Sequence, residues 1–212
     1  RDASNGLSVP PRFELSTLLQ IMARPGWALQ TLVDGIPRFE TMMPYAPKEL
    51  SNDEQIKFLA GAINAHVTPE KLARLRSRWK GWLVIKGVLD TADAKLCVDS
   101  GADAIVVSNH GGRQLDAAPH ALDMLPMIRE VVGPDLPLIV DGGIRSGLDV
   151  ARALACGADF TLLGRAFICA TAAAGQAGCE HAMTFLKEEL RHSMVQVGCE
   201  QLSDLPAHLL DY

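Results

Sequence analysis

From Thr68 onward the chain alternates short β-branched or aliphatic runs with longer stretches of helical period, and no other feature restricts its fold as tightly. Trp82 to Val88, Ala102 to Ser108, Pro137 to Val140 and Asp159 to Leu163 are predicted strands. Between and around them the pattern predicts helices over Pro69 to Arg78 with Thr68 as cap, from a capping Thr91 to about Ser100, and over Pro119 to Val132. Further helices are predicted over Leu148 to Ala155, over most of 166 to 198, and from Asp204 to Leu210. Strands alternating with helices in this way form parallel βαβ units. A closed (β/α)8 barrel takes eight such units and roughly 250 residues, so four units correspond to half a barrel. Because a half barrel has two unpaired strand edges, this piece is expected to need its other half, a second copy or the rest of a longer chain.

Residues 1 to 66 lack the alternation. Arg1 to Pro11 is rich in turn formers, and Phe13 to Ala23 and Pro25 to Val33 are predicted short helices, the second with proline in its first turn. Leu15, Leu18, Leu19, Ile21, Met22, Trp27, Leu29, Leu32 and Val33 make an apolar face flanked by Arg12, Arg24 and Arg38. That face either packs on protein or lies on a membrane surface. The expected organisation is therefore 1–66 as a loop and helical excursion and 67–212 as the half barrel.

Composition narrows the partners. A formal net charge of −5 argues against nucleic acid. Cys97, Cys156, Cys169, Cys179 and Cys199 stand singly, without the paired spacing of a metal site or a disulfide framework, so no metal is expected and a reducing, cytoplasmic setting is. No apolar run approaches the ~20 residues that cross a bilayer.

The stretch Ser108-Asn109-His110-Gly111-Gly112-Arg113-Gln114-Leu115-Asp116 follows the run Ala104 to Val107, at a strand's carboxyl end, where parallel α/β proteins keep their sites. A histidine titrates near neutrality and can take a proton from a substrate. Three residues on, a guanidinium can grip a carboxylate with two parallel hydrogen bonds. A capped turn with a surface histidine is the plainer alternative. Asp141-Gly142-Gly143-Ile144-Arg145-Ser146 and Gly164-Arg165 close the next two strands with accessible amides, a helix start and guanidinium groups, which is the build of a phosphate cradle. Lys86 interrupts an apolar strand, so an anionic group is expected beside it.

These motifs, with Val84-Ile85-Lys86-Gly87-Val88 before them and Leu163-Gly164-Arg165-Ala166 after, resemble in order those of the FMN-dependent 2-hydroxy acid dehydrogenases and oxidases. The resemblance runs over all 212 residues. It is looser at Arg1 to Pro11, where Gly6-Leu7 replaces a usual Arg-Phe. It implies an α/β fold, the C-terminal half of a TIM barrel (strands five to eight), behind an excursion that follows the fourth strand. FMN would be the cofactor and an (S)-2-hydroxy acid the substrate, L-lactate by preference, with quinone, cytochrome or oxygen as acceptor. The same resemblance implies a homo-oligomer and allows peripheral membrane contact through 12–45 on the inner face of the cytoplasmic membrane. His110, Arg113 and Lys86 are the implied catalytic residues. His110 acts as base, Arg113 binds the substrate carboxylate, and Lys86 stabilises the charge that reduction places on the flavin. Lys86, Ser108, Asp141, Gly142, Gly143, Arg145, Gly164 and Arg165 would hold the cofactor, with Asp141 on the ribityl hydroxyls.

Asp116 is assigned only to its loop. In the family a carboxylate that orients the histidine and tyrosines that touch substrate come from the other half, and Tyr45 and Tyr212 match neither tyrosine position. That gap favours an alternative in which the chain is a non-catalytic half barrel that binds FMN or phosphate. The phosphate loops by themselves also resemble inosine monophosphate dehydrogenases and type 2 isopentenyl diphosphate isomerases, from which His110 and Arg113 separate this chain.

Overall fold

The computed structural model describes residues 14–35, 40–47, 50–62 and 66–209. The predicted features at Arg1 to Phe13, at Arg38 and at Leu210 to Tyr212 lie outside them. The chain divides into two compact units, Arg1–Val67 and Thr68–Tyr212.

In the first unit α1 (Leu15–Met22) and α2 (Pro25–Asp34) bury none of their residues, while α3 (Asn52–Ala62) buries Leu59. The sequence pattern does not predict α3, because Asn52-Asp53-Glu54-Gln55 followed by Ile56, Phe58 and Leu59 gives it too narrow an apolar stripe. Its start is held by Ser51, whose N–H and hydroxyl both donate to the Glu54 carboxylate (2.9 and 2.6 Å).

The second unit is α4 (Pro69–Arg78), β1 (Val84–Val88), α5 (Thr91–Asp99), β2 (Ala104–Val107), α6 (Ala121–Val132), β3 (Leu138–Asp141), α7 (Gly147–Ala155), β4 (Phe160–Leu162) and α8 (Arg165–Val197). The four strands are all parallel and stand in the order β1-β2-β3-β4. Strand order that follows chain order, with a helix in every connection, is the winding of a barrel; a doubly wound sheet reverses direction at a switch point. The fold is thus an α/β half barrel. Ile105, Val107, Leu138 and Val140 face the helices and pack with Ala94, Cys97, Leu125, Ile128 and Ala153. Alternation then sends Lys86, Val106, Ile139 and Asp141 to the other face of the sheet, in one register.

Thr68 caps α4 as expected, accepting the Lys71 N–H, and Ser146 caps α7 in a reciprocal box with Asp149. Two expectations need correction. Asp90, one residue before Thr91, caps α5, its carboxylate accepting the N–H groups of Ala92 and Asp93, because a carboxylate reaches two orphan amides at once. Helices fill Arg165–Val197 as expected, with a break at Ala174 and Gly175, where φ is −146° and 57°. The final segment is a 3-10 helix over Leu202–His208 and not an α-helix from Asp204, since Pro206 at its centre cannot supply an amide to an α turn.

The amino ends of the strands carry a feature that occurs twice. Arg76, in the last turn of α4, donates to Asp103 (2.8 Å) and to the carbonyls of Trp79, Gly81 and Gly101, and Asp103 also accepts the Leu83 N–H (2.7 Å). Arg129, in the last turn of α6, donates to Asp159 (2.6 Å) and to the carbonyls of Gly133, Leu136 and Gly157, and Asp159 accepts the Leu138 N–H (2.7 Å). In each case the aspartate follows a Gly-Ala pair, Gly101-Ala102 or Gly157-Ala158.

Candidate functional site

At the carboxyl end of the same sheet the strands deliver their polar residues to one place. Lys86 on β1 forms an ion pair with Asp141 at the end of β3 (2.7 Å) and donates to the Ser108 hydroxyl just beyond β2 (2.9 Å). The expected anionic partner of Lys86 is Asp141, two strands away, although the lysine side chain itself is 43% exposed and not buried in its strand. Among the described residues Ser108 is the one fully buried polar side chain, 1% exposed. Its oxygen also accepts the His110 N–H (3.1 Å). With two donors already directed at that oxygen, the hydroxyl hydrogen points elsewhere and is left for another acceptor.

The Lys86–Asp141 pair leaves one oxygen over. Asp141 Oδ1 is buried and has no hydrogen-bond partner in the structure. A buried carboxylate oxygen without a donor is costly, and a hydroxyl donor from a ligand would relieve it.

His110 opens a left-handed turn. Its φ is 55°, the one positive value outside glycine among the described residues, and Gly111 and Gly112 continue at 66° and 72°. The imidazole lies over Gly87, so close that a Cβ there would fall 2.8 Å from His110 Cε1. Gly87 has φ 99° and sits where the β1–β2 register slips by one residue, a bulge that only a residue without a side chain accommodates beneath the ring.

A cavity of ≈ 280 Å³ is lined by His110, Gly111, Arg113, Asp141, Gly142, Gly143, Ile144, Arg145, Gly164 and Arg165, with Leu162, Leu163 and Ile168 as its apolar wall. That volume is at the lower edge of the roughly 300–1,000 Å³ of small-molecule sites, enough for the phosphate end of a ligand together with part of its chain. Arg165 also donates to the Gly111 carbonyl (3.4 Å), tying the last strand's loop to the His110 turn. Of the ten residues assigned to the site from sequence, eight therefore line one cavity, and Lys86 and Ser108 stand behind Asp141. Asn109 and His120 escaped the sequence reading. Asn109 accepts the Gly111 N–H (3.0 Å), and His120 caps α6 through Nδ1 with its Nε2 against Gly143. An asparagine just before His-Gly-Gly is a recognisable Asx-turn signal; nothing in sequence brings His120 to Gly143.

Four consecutive βα units, the last three strands closing in loops that carry glycine and arginine, define a half barrel of the TIM type around a cavity lined by Arg113, Arg145 and Arg165. The chain belongs to the FMN-dependent dehydrogenase family, whose model it matches over residues 1–212. It is 40% identical over 211 residues to an L-lactate dehydrogenase of Pectobacterium atrosepticum and 42% identical over 211 residues to one of Xanthomonas axonopodis, covering 99% of this chain and 54% of each relative. Among solved structures, that of the monotopic membrane protein (S)-mandelate dehydrogenase superposes with a TM-score of 0.90 at 32% identity, over 100% of this chain and 56% of the other. A mandelate oxidase with (S)-4-hydroxymandelic acid superposes with a TM-score of 0.67 at 40% identity, over 76% and 45%. The chain spans about half the length of the curated relatives it matches.

Proposed function

We propose that this chain carries the cofactor loops and the base of an enzyme that oxidises an (S)-2-hydroxy acid, L-lactate by preference, to the 2-oxo acid with FMN. The supporting observation is the convergence of His110, Arg113, the Lys86–Asp141 pair and the Gly142–Arg145 and Gly164–Arg165 loops at one strand end. These residues fit FMN. Unpartnered Asp141 Oδ1 would accept from a ribityl hydroxyl, and Gly142, Gly143, Arg145, Gly164 and Arg165 would hold the phosphate. When bound, FMN supplies the two-electron acceptor that no side chain provides. Arg113 binds the substrate carboxylate, and His110 receives the substrate proton on its imidazole. Lys86 holds a fixed positive charge on the same side of the sheet as Asp141, with which it is ion-paired.

Preference for L-lactate rests on the extent of the match to the lactate relatives, which reach 40–42% identity over 99% of this chain, whereas the mandelate oxidase reaches 40% over 76% and the mandelate dehydrogenase 32% over 100%. The reduced enzyme would pass its electrons to a quinone, a cytochrome or oxygen, and would work as a homo-oligomer. Leu15, Met22, Trp27, Leu32 and Val33 are exposed, Leu32 by 82%, with Arg24 between the two helices. That face supports peripheral membrane contact through 12–45. No helix among the described residues is long and apolar enough to cross a membrane.

The test is the flavin absorbance of the FMN-loaded chain before and after anaerobic L-lactate. Bleaching is expected, and His110→Gln should slow it by about 10²–10⁴-fold while FMN stays bound. Bleaching at an unaltered rate in His110→Gln would refute the base. Flavin retained without bleaching by L-lactate or any other 2-hydroxy acid would favour the second reading, a half barrel that binds FMN or phosphate without turnover. One observation favours that reading: the two tyrosines of the chain, Tyr45 and Tyr212, match neither tyrosine position that the resemblance would set against the substrate. Membrane sedimentation unchanged after deletion of 12–45 would refute the membrane contact.

A further inference from the structure

Asn109 lies inside the site but takes no part in the chemistry assigned above. Its surroundings give it one. The turn it opens places His110, Gly111 and Gly112 in succession at positive φ, and for histidine that conformation costs about 1–2 kcal/mol. Such a backbone persists only where neighbouring groups over-determine it. The half-buried Asn109 side chain supplies that determination from both ends of one planar amide. Oδ1 accepts the Gly111 N–H (3.0 Å), Nδ2 donates to the Pro119 carbonyl (3.3 Å), and the backbone carbonyl accepts the Gly112 N–H (3.0 Å). Oδ1 also packs on Gly142, where a Cβ would fall 2.7 Å from it.

One side chain therefore joins three segments: the turn that bears His110, the lead into α6, and the glycine loop after β3. We propose that Asn109 is a positioning residue, clamping the left-handed turn so that the His110 imidazole faces the substrate while the Gly142 loop stays in place beside it. The proposal rests on the reading of His110 as the base. Asparagine meets the requirement, because the clamp needs an acceptor toward Gly111 and a donor toward Pro119; aspartate offers only the first and alanine neither.

The experiment uses the FMN-loaded chain with Asn109→Ala and Asn109→Asp, reading anaerobic flavin reduction by L-lactate against pH together with the NMR titration of the His110 imidazole. Asn109→Ala is expected to keep its flavin and its fold, to reduce flavin about 100-fold more slowly, and to move the pH midpoint of the rate along with the imidazole titration. Asn109→Asp should recover part of the rate, since the bond from Gly111 survives. In a His110→Gln background, Asn109→Ala should lower the residual rate no further. An unchanged rate and unchanged imidazole titration in Asn109→Ala would overturn the clamp, and so would an equal loss in the His110→Gln background. Should Asn109→Ala fail to fold, Asn109→Asp decides: protection of the Gly111 amide from exchange equal to that of the native chain, with the imidazole titration altered only through the lost Pro119 bond, is required. If the unsubstituted chain reduces no flavin with any 2-hydroxy acid, the base reading falls separately, and the imidazole titration still judges the clamp.

Discussion

The two ends of the four-stranded sheet are built on opposite plans. At the amino ends the charged groups are saturated: Arg129 reaches Asp159 and the carbonyls of Gly133, Leu136 and Gly157, and Arg76 repeats the arrangement with Asp103. At the carboxyl ends a lysine stands in an apolar strand, an aspartate oxygen is buried without a donor, and a histidine holds a left-handed backbone. Both ends belong to the same strands and pack on the same helices. Stability is collected at one end and tension is kept at the other, the division seen where barrels separate scaffold from chemistry.

That contrast predicts which property each substitution changes. The largest effect belongs to Lys86→Met, which leaves Asp141 without its cation. Flavin reduction in stopped flow should slow by about 10³-fold, the scale of losing one preorganised charge-stabilising group. Arg129→Ala should act oppositely, lowering unfolding stability in urea by about 2 kcal/mol while the rate per folded molecule stays the same. The figure reflects the lost bonds to backbone carbonyls, since the Asp159 carboxylate is 43% exposed and its ion pair is screened. A rate loss as large as that of Lys86→Met would erase the distinction between the ends.

His110→Gly probes the stored tension directly. Glycine accepts φ 55° at no steric cost, so the variant should gain about 1 kcal/mol of unfolding stability as it loses the base. A loss of stability there would show that the turn is not strained. The smallest effect is in acid. The Leu83 N–H, and after it the Arg76 guanidinium, hold the Asp103 carboxyl below its ordinary range. A depressed carboxylate contributes stability that is complete above the unfolded-state value of about 4 and is lost as pH falls through the lower, folded value. Asp103→Asn should therefore flatten the acid limb of the stability curve, measured by thermal unfolding between neutral and acidic pH.

Much of this was legible in the chain. Strand positions, the Thr68 and Ser146 caps and the three loops at the carboxyl ends follow from β-branched runs, capping residues and glycine pairs, all of which act within a few residues. α3 was not legible, because its apolar stripe is narrow and Leu59 supplies its buried contact. Nor was the break at Ala174-Gly175, since an Ala-rich run fits a continuous helix equally well.

Sequence alone determined that His110 and Arg113 share a strand end and led to the expectation of an anion beside Lys86, because chain adjacency and strand pattern are local facts, although the lysine side chain stays 43% exposed. Only the tertiary structure decided that the anion is Asp141, 55 residues further on. Parallel pairing aligns Lys86 with Val106 and Ile139, and the two-residue alternation along β3 then turns Asp141 to the same face. The same holds for Asn109 meeting Gly142 and for Gly87 lying under the His110 ring. Register and close approach between strands set these contacts, and neither is written in the spacing of residues along the chain.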